Sequence, residues 1–195
     1  MARAETAAQT QGAAVSGYRL VVPDGWFAVD LDPGRRERAV AALVGRQFAG
    51  LDNAPHLKAQ TRQELLARAK AAYEAGGLEM FLSTQQVAGI PLAFSLVIFL
   101  VPPPGSQVVT AGELAGSLDG EGRQVRVTDL PAGTAVRVLR RTGSADGTTA
   151  TLEMFVPVPR GGGWLLLAFS APLGPLAPAM MKLFDSIAVT LRWDQ

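Results

Sequence analysis

The order of the apolar segments and turn signals constrains the fold of this chain more than any other feature. From residue 18 onward, short apolar runs are separated by turns rich in glycine and proline, and the helical patterns come in blocks. The predicted order of elements is ββααββ(α)ββββαβ. Because hairpins dominate this order, it indicates an α+β fold in which helices flank an antiparallel sheet of about six to eight strands, and not a doubly wound parallel sheet.

The first half of the chain is predicted to contain an opening hairpin and two helices. The hairpin joins strands at residues 18–22 and 26–31. Asp32, followed by a proline, is typical of a helix start, and Pro55 begins a second helix that Gly76 ends. Apolar residues that repeat every three or four positions form the predicted buried faces of these helices: Val40, Leu43, Val44, Phe48, Leu57, Leu65, Leu66, Ala69 and Tyr73.

The second half is predicted to be mostly strand. Residues 78–87 alternate in polarity, and residues 90–101 form a continuously apolar strand, which indicates burial on both faces. Residues 110–118 are expected to form a short helix. An antiparallel meander is predicted to follow, then a helix at residues 178–184 and a final strand at residues 187–193.

Length and composition favour one domain behind a tail. The chain has 195 residues and is 48% hydrophobic, so it can bury a sizeable core. Residues 1–17 contain few large apolar side chains, and we expect them to be disordered. Residues 18–195 are expected to form a single α+β domain. Charged residues make up only 18%, against about 25% in typical domains, which is consistent with an apolar partner surface.

Several classes of function are disfavoured by composition. A net charge of +1 argues against nucleic-acid binding, and the absence of cysteine excludes disulfides and thiolate nucleophiles. The longest apolar run has ten residues, whereas a membrane span needs about 20. A secretory signal pattern is also missing at the N-terminus. We therefore expect a cytoplasmic, non-enzymatic protein with no cofactor, no bound metal and no membrane span.

Three groups of residues could carry chemistry, and each has a simpler structural explanation. His56 is the single histidine and falls in the first turn of a predicted helix, too isolated for a metal site or a catalytic triad. Asp24, Asp30 and Asp32 cluster near the first turn, where turn and cap roles explain two of them. The triple glycine at residues 161–163 lies between two strands, as in a hairpin loop, and not before a helix as in a phosphate loop.

The charges are distributed unevenly along the chain. Residues 35–70 hold eight Lys or Arg residues and three acidic ones, whereas residues 71–122 hold five acidic residues and no Lys or Arg. Solvated helix faces explain this pattern in part. The alternative is a basic surface that selects an acidic protein partner and steers its approach. The candidate partner-binding residues are Arg35, Arg36, Arg38, Arg46, Lys58 and Arg62.

The chain also resembles a known superfamily in its core and turn residues. The residues that carry the resemblance are 18–26 (YRLVVPDGW), 164–170 (WLLLAFS), 184–187 (FDSI) and 191–193 (LRW). They are similar to the PsbP-like α/β/α sandwich superfamily and, in outline, to uncharacterised actinobacterial proteins of the mycobacterial LpqN-type lipoprotein family. The resemblance implies an assembly factor or binding module without catalytic residues. The chain departs from the lipoproteins in lacking a lipobox cysteine.

The function expected from these observations is a non-enzymatic protein-binding or assembly module, with an oligomeric state that the sequence leaves open. One alternative is a binder of a small apolar ligand, or an enzyme without a recognisable motif, that uses a pocket between sheet and helices. The residues that could line such a pocket are Leu78, Met80, Phe94, Phe99 and Phe169. A further alternative is a structural component of a secretion or injection assembly.

Overall fold

The computed structural model describes residues 2–6, 17–49, 55–87, 90–91, 94–105, 107–144, 147–172 and 177–194. The helices of these ranges are α1 (Pro33–Gln47), α2 (Pro55–Glu74), α3 (Ala111–Leu118) and α4 (Ala177–Val189). The strands are β1 (Ala2–Thr6), β2 (Tyr18–Val22), β3 (Trp26–Val29), β4 (Gly77–Ser83), β5 (Gln86–Val87), β6 (Ile90–Pro91), β7 (Ser95–Val101), β8 (Arg123–Leu130), β9 (Gly133–Ser144), β10 (Gly147–Pro157), β11 (Trp164–Pro172) and β12 (Arg192–Trp193).

The strands form one large sheet and two small ones. The large sheet has seven strands in the order β3-β4-β7-β11-β10-β9-β8, and the smaller sheets have the orders β1-β2-β12 and β5-β6. Neighbours such as β3 and β4, β8 and β9, and β10 and β11 run antiparallel. The α+β fold with helices flanking an antiparallel sheet confirms the fold class predicted from the sequence.

Two compact units make up the chain. The large unit combines Met1–Asp24 with Phe99–Gln195, and the small unit is Gly25–Ile98. The expectation of a single domain over residues 18–195 stays a prediction.

The small unit contains α1 and α2 and a core that they share with β3 and β4. The Asp32 carboxylate accepts a hydrogen bond of 2.8 Å from the Gly34 N–H and caps α1, as predicted. The buried residues of this core lie on the predicted helix faces: Val40, Leu43, Val44, Leu65 and Ala69.

Two residues of the predicted buried face of α2 are exposed instead. Leu57 is 54% exposed and Tyr73 is 47% exposed. Each lies eight residues from the buried Leu65, which places it about 80° around the helix from the centre of the buried face. The buried face of α2 is therefore shorter than predicted, because it includes neither Leu57 near the start of the helix nor Tyr73 near its end.

The large unit contains the β8–β11 meander, with helices on both of its faces. On one face, α3 lies over buried Val136, Val138, Phe155 and Trp164. On the other face, the ring of Phe184 in α4 stacks on Phe169 of β11, with ring centroids 4.7 Å apart. Since alternate residues of a strand point to opposite faces, each face of the meander carries apolar side chains that contact a helix.

The predicted opening hairpin is wrong. β2 pairs with β1 and β12, whereas β3 pairs with β4. The predicted final strand at residues 187–193 is also largely wrong, because α4 continues to Val189 and only Arg192–Trp193 form β12. The buried residues Phe184, Ile187, Ala188 and Leu191 follow the helical spacing of three, four and seven residues, which favours the helix.

The apolar run at residues 90–101 is not one strand. It contains β6 and β7, and residues 92–93 lie outside the described ranges. In β7, Leu96 and Ile98 are buried while Ser95 and Val97 are half-buried, so the strand alternates where the sequence predicted burial on both faces.

The predicted disordered tail differs from the structure at Ala2–Thr6. These residues form β1, which pairs antiparallel with β2 from Ala2 opposite Val22 to Thr6 opposite Tyr18. Strand pairing uses backbone groups, so it does not require the large apolar side chains that the tail lacks. Residues 1 and 7–16 lie outside the described ranges, and for them disorder stays a prediction.

Candidate functional site

An open groove lies in the small unit between α1 and α2 and is called the α1–α2 groove below. Its volume is about 460 Å³. Small apolar side chains form most of its surface, and two cationic side chains complete it. The lining residues are Ala41 and Val44 of α1, and Pro55, Lys58, Ala59 and Arg62 of α2.

Lys58 and Arg62 are the charged residues of this groove. They are four residues apart on α2, so they lie one turn apart on the same side of the helix. Both are exposed, and neither has a carboxylate within ion-pair distance in the part of the chain that the structure describes. No lining residue is acidic. Among the described residues, the groove therefore presents two positive charges without an ion-pair partner beside an apolar surface.

The acidic residues that the structure describes on α1 and α2 form no ion pair with Lys58 or Arg62. Glu64 accepts a hydrogen bond of 3.0 Å from the side-chain amide of Gln60, and Glu74 forms an ion pair of 3.7 Å with Lys70. Glu37 is exposed on α1 and is not a lining residue. Lys58 and Arg62 are thus the two predicted partner-binding cations that line the groove.

Arg35 forms ion pairs with two aspartates at the start of α1. Its Nε lies 3.0 Å from the Asp30 carboxylate and 3.9 Å from that of Asp32. Asp30 also accepts a hydrogen bond of 3.0 Å from the backbone N–H of Asp32. Asp30 and Asp32 therefore support the helix start.

Two further arginines stack on aromatic rings within the small unit. The guanidinium carbon of Arg36 lies 5.8 Å from the ring centre of Tyr73, and that of Arg46 lies 5.1 Å from the ring centre of Phe27. Such cation–π contacts are favourable and hold the side chains in place. The stacking also gives exposed Tyr73 a packing partner outside the core.

The six predicted partner-binding residues therefore differ in their surroundings, and only some of them are available to a partner. It brings Lys58 and Arg62 together in the groove. Arg38 is exposed on α1, three residues before the groove residue Ala41, and has no ion pair in the described ranges. Arg35, Arg36 and Arg46 are held by contacts within the chain. Ala41 and Ala59 of the groove were not predicted as site residues, although each lies three or four residues from another lining residue on its helix.

The other candidate groups have structural roles or remain isolated. His56 is exposed in the first turn of α2, as expected. Residues 161–163 lie in the loop between β10 and β11, which confirms the hairpin-loop interpretation. Within the described ranges, no three His, Asp or Glu side chains are close enough together to hold a metal ion. The helices of those ranges include none with the length and apolar character of a membrane span.

The residues predicted to line an apolar pocket are mostly core residues. Met80, Phe94 and Phe169 are buried. None of the five predicted residues lines the α1–α2 groove. The small-ligand alternative stays a prediction.

The fold is an α+β arrangement in which helices flank an antiparallel sheet. The chain matches the solved structure of LpqN from Mycobacterium tuberculosis, a protein involved in cell envelope biogenesis. The TM-score is 0.52 and the sequences are 11% identical over 100% of this chain and 91% of that chain. No protein-family model and no curated protein matches the chain.

At this level of identity the similarity shows the fold alone. The resemblance to LpqN-type proteins that the sequence predicted is confirmed as a distant fold relationship. An actinobacterial origin stays a prediction.

Proposed function

We propose that this chain is a non-enzymatic accessory module that binds an acidic segment of a protein partner in the α1–α2 groove. The observation that carries the proposal is the pair of exposed cations, Lys58 and Arg62, beside an apolar surface that contains no acidic residue. A partner that brings carboxylates to these cations would gain charge complementarity, and the long-range field of the basic helices would speed its approach.

The shape of the groove favours an amphipathic helix as the bound segment. Two helices with small side chains between them leave space for a third helix, whose small apolar residues could contact Ala41, Val44 and Ala59. The acidic residues of that helix would flank its apolar stripe and face Lys58 and Arg62. A groove of about 460 Å³ accepts only a few side chains, so we expect modest, micromolar affinity that weakens with salt.

The neighbour of known structure supports the kind of role but not the partner. LpqN takes part in cell envelope biogenesis. By analogy of fold, an accessory role in envelope assembly is the biological setting that we propose for this chain. A cytoplasmic location, predicted from the sequence, is the competing setting. Fractionation of cells that carry a tagged chain separates the two, because an envelope role requires the chain in the envelope fraction.

Affinity capture with matched charge variants tests the proposal. The tagged chain is cross-linked in its own cells and its partners are quantified by mass spectrometry. The double variant Lys58→Glu with Arg62→Glu reverses the groove charges. The control, Arg68→Glu with Lys70→Glu, makes the same charge change on α2 outside the groove.

A specific partner should lose at least about tenfold in recovery with the groove variant and keep its recovery with the control, because only the first pair faces the bound acidic segment. Circular dichroism confirms that both variants are folded. Equal recovery with both variants, or no partner above background at low salt, would contradict the proposal.

A further inference from the structure

A second depression lies in the large unit, along β8. It has a volume of about 500 Å³ and is bounded on one side by consecutive residues of β8 and on the other by α4. Its surface includes two methionines, two exposed valines and an arginine–aspartate pair. These residues are Met154, Met181, Val127, Val189, Arg137 and Asp185.

β8 is the last strand of the seven-stranded sheet. It has eight residues and pairs with β9 alone among the described strands. In an antiparallel pair, alternate residues of an edge strand turn their N–H and C=O groups away from the neighbour, so β8 presents a row of backbone donors and acceptors. Charged side chains such as Arg123 disfavour unspecific pairing at this edge. Val127 of β8 is nevertheless 49% exposed, and Val189 of α4 is 46% exposed.

The charges at this depression are incompletely matched. Arg126 of β8 lies directly opposite Arg137 of β9, so the two guanidinium groups project from the same face of the sheet. Like charges in this position repel each other. Asp185 binds Arg137 through two hydrogen bonds of 2.8 and 3.2 Å, and Asp129 accepts a 2.8 Å hydrogen bond from the Thr134 hydroxyl. Arg126 has no ion pair within the described ranges.

We infer that β8 is a docking site for an extended peptide of a partner protein, which adds to the sheet edge as a further strand. Backbone hydrogen bonds to β8 would fix the peptide, an acidic side chain would pair with Arg126, and the apolar side chains on either side of it would contact Met181 and Val189 of α4. A methionine such as Met181 adapts readily to different apolar groups, which suits such a site. This inference is independent of the α1–α2 groove.

A designed peptide tests the inference in the full chain. The probe is the fluorescein-labelled peptide Thr-Val-Thr-Glu-Thr-Val-Thr, whose valines and glutamate project from one face when it is extended. Fluorescence anisotropy measures its binding. Two further peptides carry N-methyl groups on one or the other alternate set of backbone amides, and a third has lysine in place of glutamate.

Strand addition predicts that one N-methylated peptide loses binding while the other retains it, because only one set of amides faces β8. Arg126→Glu should weaken the glutamate peptide at least about tenfold, and the lysine peptide should recover most of that loss on this variant. Arg123→Glu, on the other face of the same strand, and the groove variant of Lys58 and Arg62 should leave binding within about twofold.

Absence of binding by the unmodified peptide at roughly 1 mM would overturn the inference. Equal effects of the two N-methylation patterns would also overturn it, as would equal effects of the Arg126 and Arg123 variants. Because the groove variant is measured in the same series, failure of this site is distinguishable from failure of the proposed function.

Discussion

Arg137 and Asp185 join β9 to α4 through two parallel hydrogen bonds. Nε of Arg137 lies 2.8 Å from Oδ1 of Asp185, and Nη2 lies 3.2 Å from Oδ2. The Arg137 side chain is only 16% exposed, whereas that of Asp185 is 42% exposed. Because the arginine is shielded from water and the pair is bidentate, this contact is stronger than an ordinary surface ion pair.

Asp185→Asn should lower the free energy of unfolding by about 1–2 kcal/mol, because it leaves a largely buried guanidinium without its counter-ion. Urea denaturation measures the loss. The control is Asp194→Asn, whose carboxylate binds exposed Arg19 at 2.7 Å and should cost less than about 1 kcal/mol. Equal losses in the two variants would contradict the stabilising role assigned to the Arg137–Asp185 pair.

The residue just before β11 must be glycine because of its backbone conformation and its close neighbours: it is Gly163. Its φ is +91°, and a Cβ at this position would overlap the carbonyl oxygen of Val101. Gly163→Ala should therefore destabilise the chain by at least about 2 kcal/mol. Gly143→Ala meets open space and should change stability by less than about 1 kcal/mol. Thermal unfolding of the two variants compares them, and an unchanged melting temperature for Gly163→Ala would contradict the prediction.

The stacked rings of Phe169 and Phe184 anchor α4 to the sheet, and both residues are fully buried. Phe184→Ala should cost about 3–5 kcal/mol, since it removes a large apolar side chain and leaves a cavity. Exposed Lys182 on the same helix provides the control, because Lys182→Ala should cost under about 0.5 kcal/mol. Equal stability of the two variants in chemical denaturation would contradict the role of Phe184 as the buried anchor of α4.

The capping box of α3 should make a small, pH-dependent contribution to stability. The Glu113 carboxylate accepts hydrogen bonds from the backbone N–H of Thr110 and from its hydroxyl. These two bonds, the backbone one first in size, lower the pKa of Glu113 below its usual value of 4.5. A lowered folded-state pKa means that the contribution is fully present above pH 4.5 and is lost as the pH falls through the lowered pKa.

The difference in unfolding free energy between the unmodified chain and Glu113→Gln should therefore be larger at neutral pH than in acid. Urea denaturation at both pH values measures it. Glu121→Gln removes a nearby carboxylate outside the capping box and serves as the control. A difference for Glu113→Gln that does not decrease in acid would show that the ionised carboxylate is not the stabilising group.

Local features of the fold were predictable from the sequence. The Asp32 cap, the stop at Gly76 and the β8–β11 meander depend on residues close together in the chain, where turn and cap chemistry act directly. The pairing of β2 was not predictable in this way, because its partner β12 lies about 170 residues away in the chain. The prediction for residues 187–193 was wrong for another reason, because a short apolar run fits either a helix or a strand.

The candidate site was only partly predictable. The sequence indicated a basic block, but it could not show which charges are compensated. Arg35 meets Asp30 because of the turn that precedes α1, and Arg46 meets Phe27 because α1 packs beside β3. The position of Lys58 and Arg62 in the groove, without an ion-pair partner among the described residues, became apparent only when the positions of the carboxylates and of α1 were known.

An NMR titration of the ¹⁵N-labelled chain tests the central claim most directly. The probe is a synthetic amphipathic helix with glutamates beside a stripe of alanine and leucine. We expect saturable chemical-shift changes of the backbone amides that cluster at the groove residues Ala41, Val44, Lys58, Ala59 and Arg62. These changes should weaken with salt and should disappear in the double variant Lys58→Glu with Arg62→Glu. Shifts that are scattered over the surface, or that persist unchanged in that variant, would contradict it.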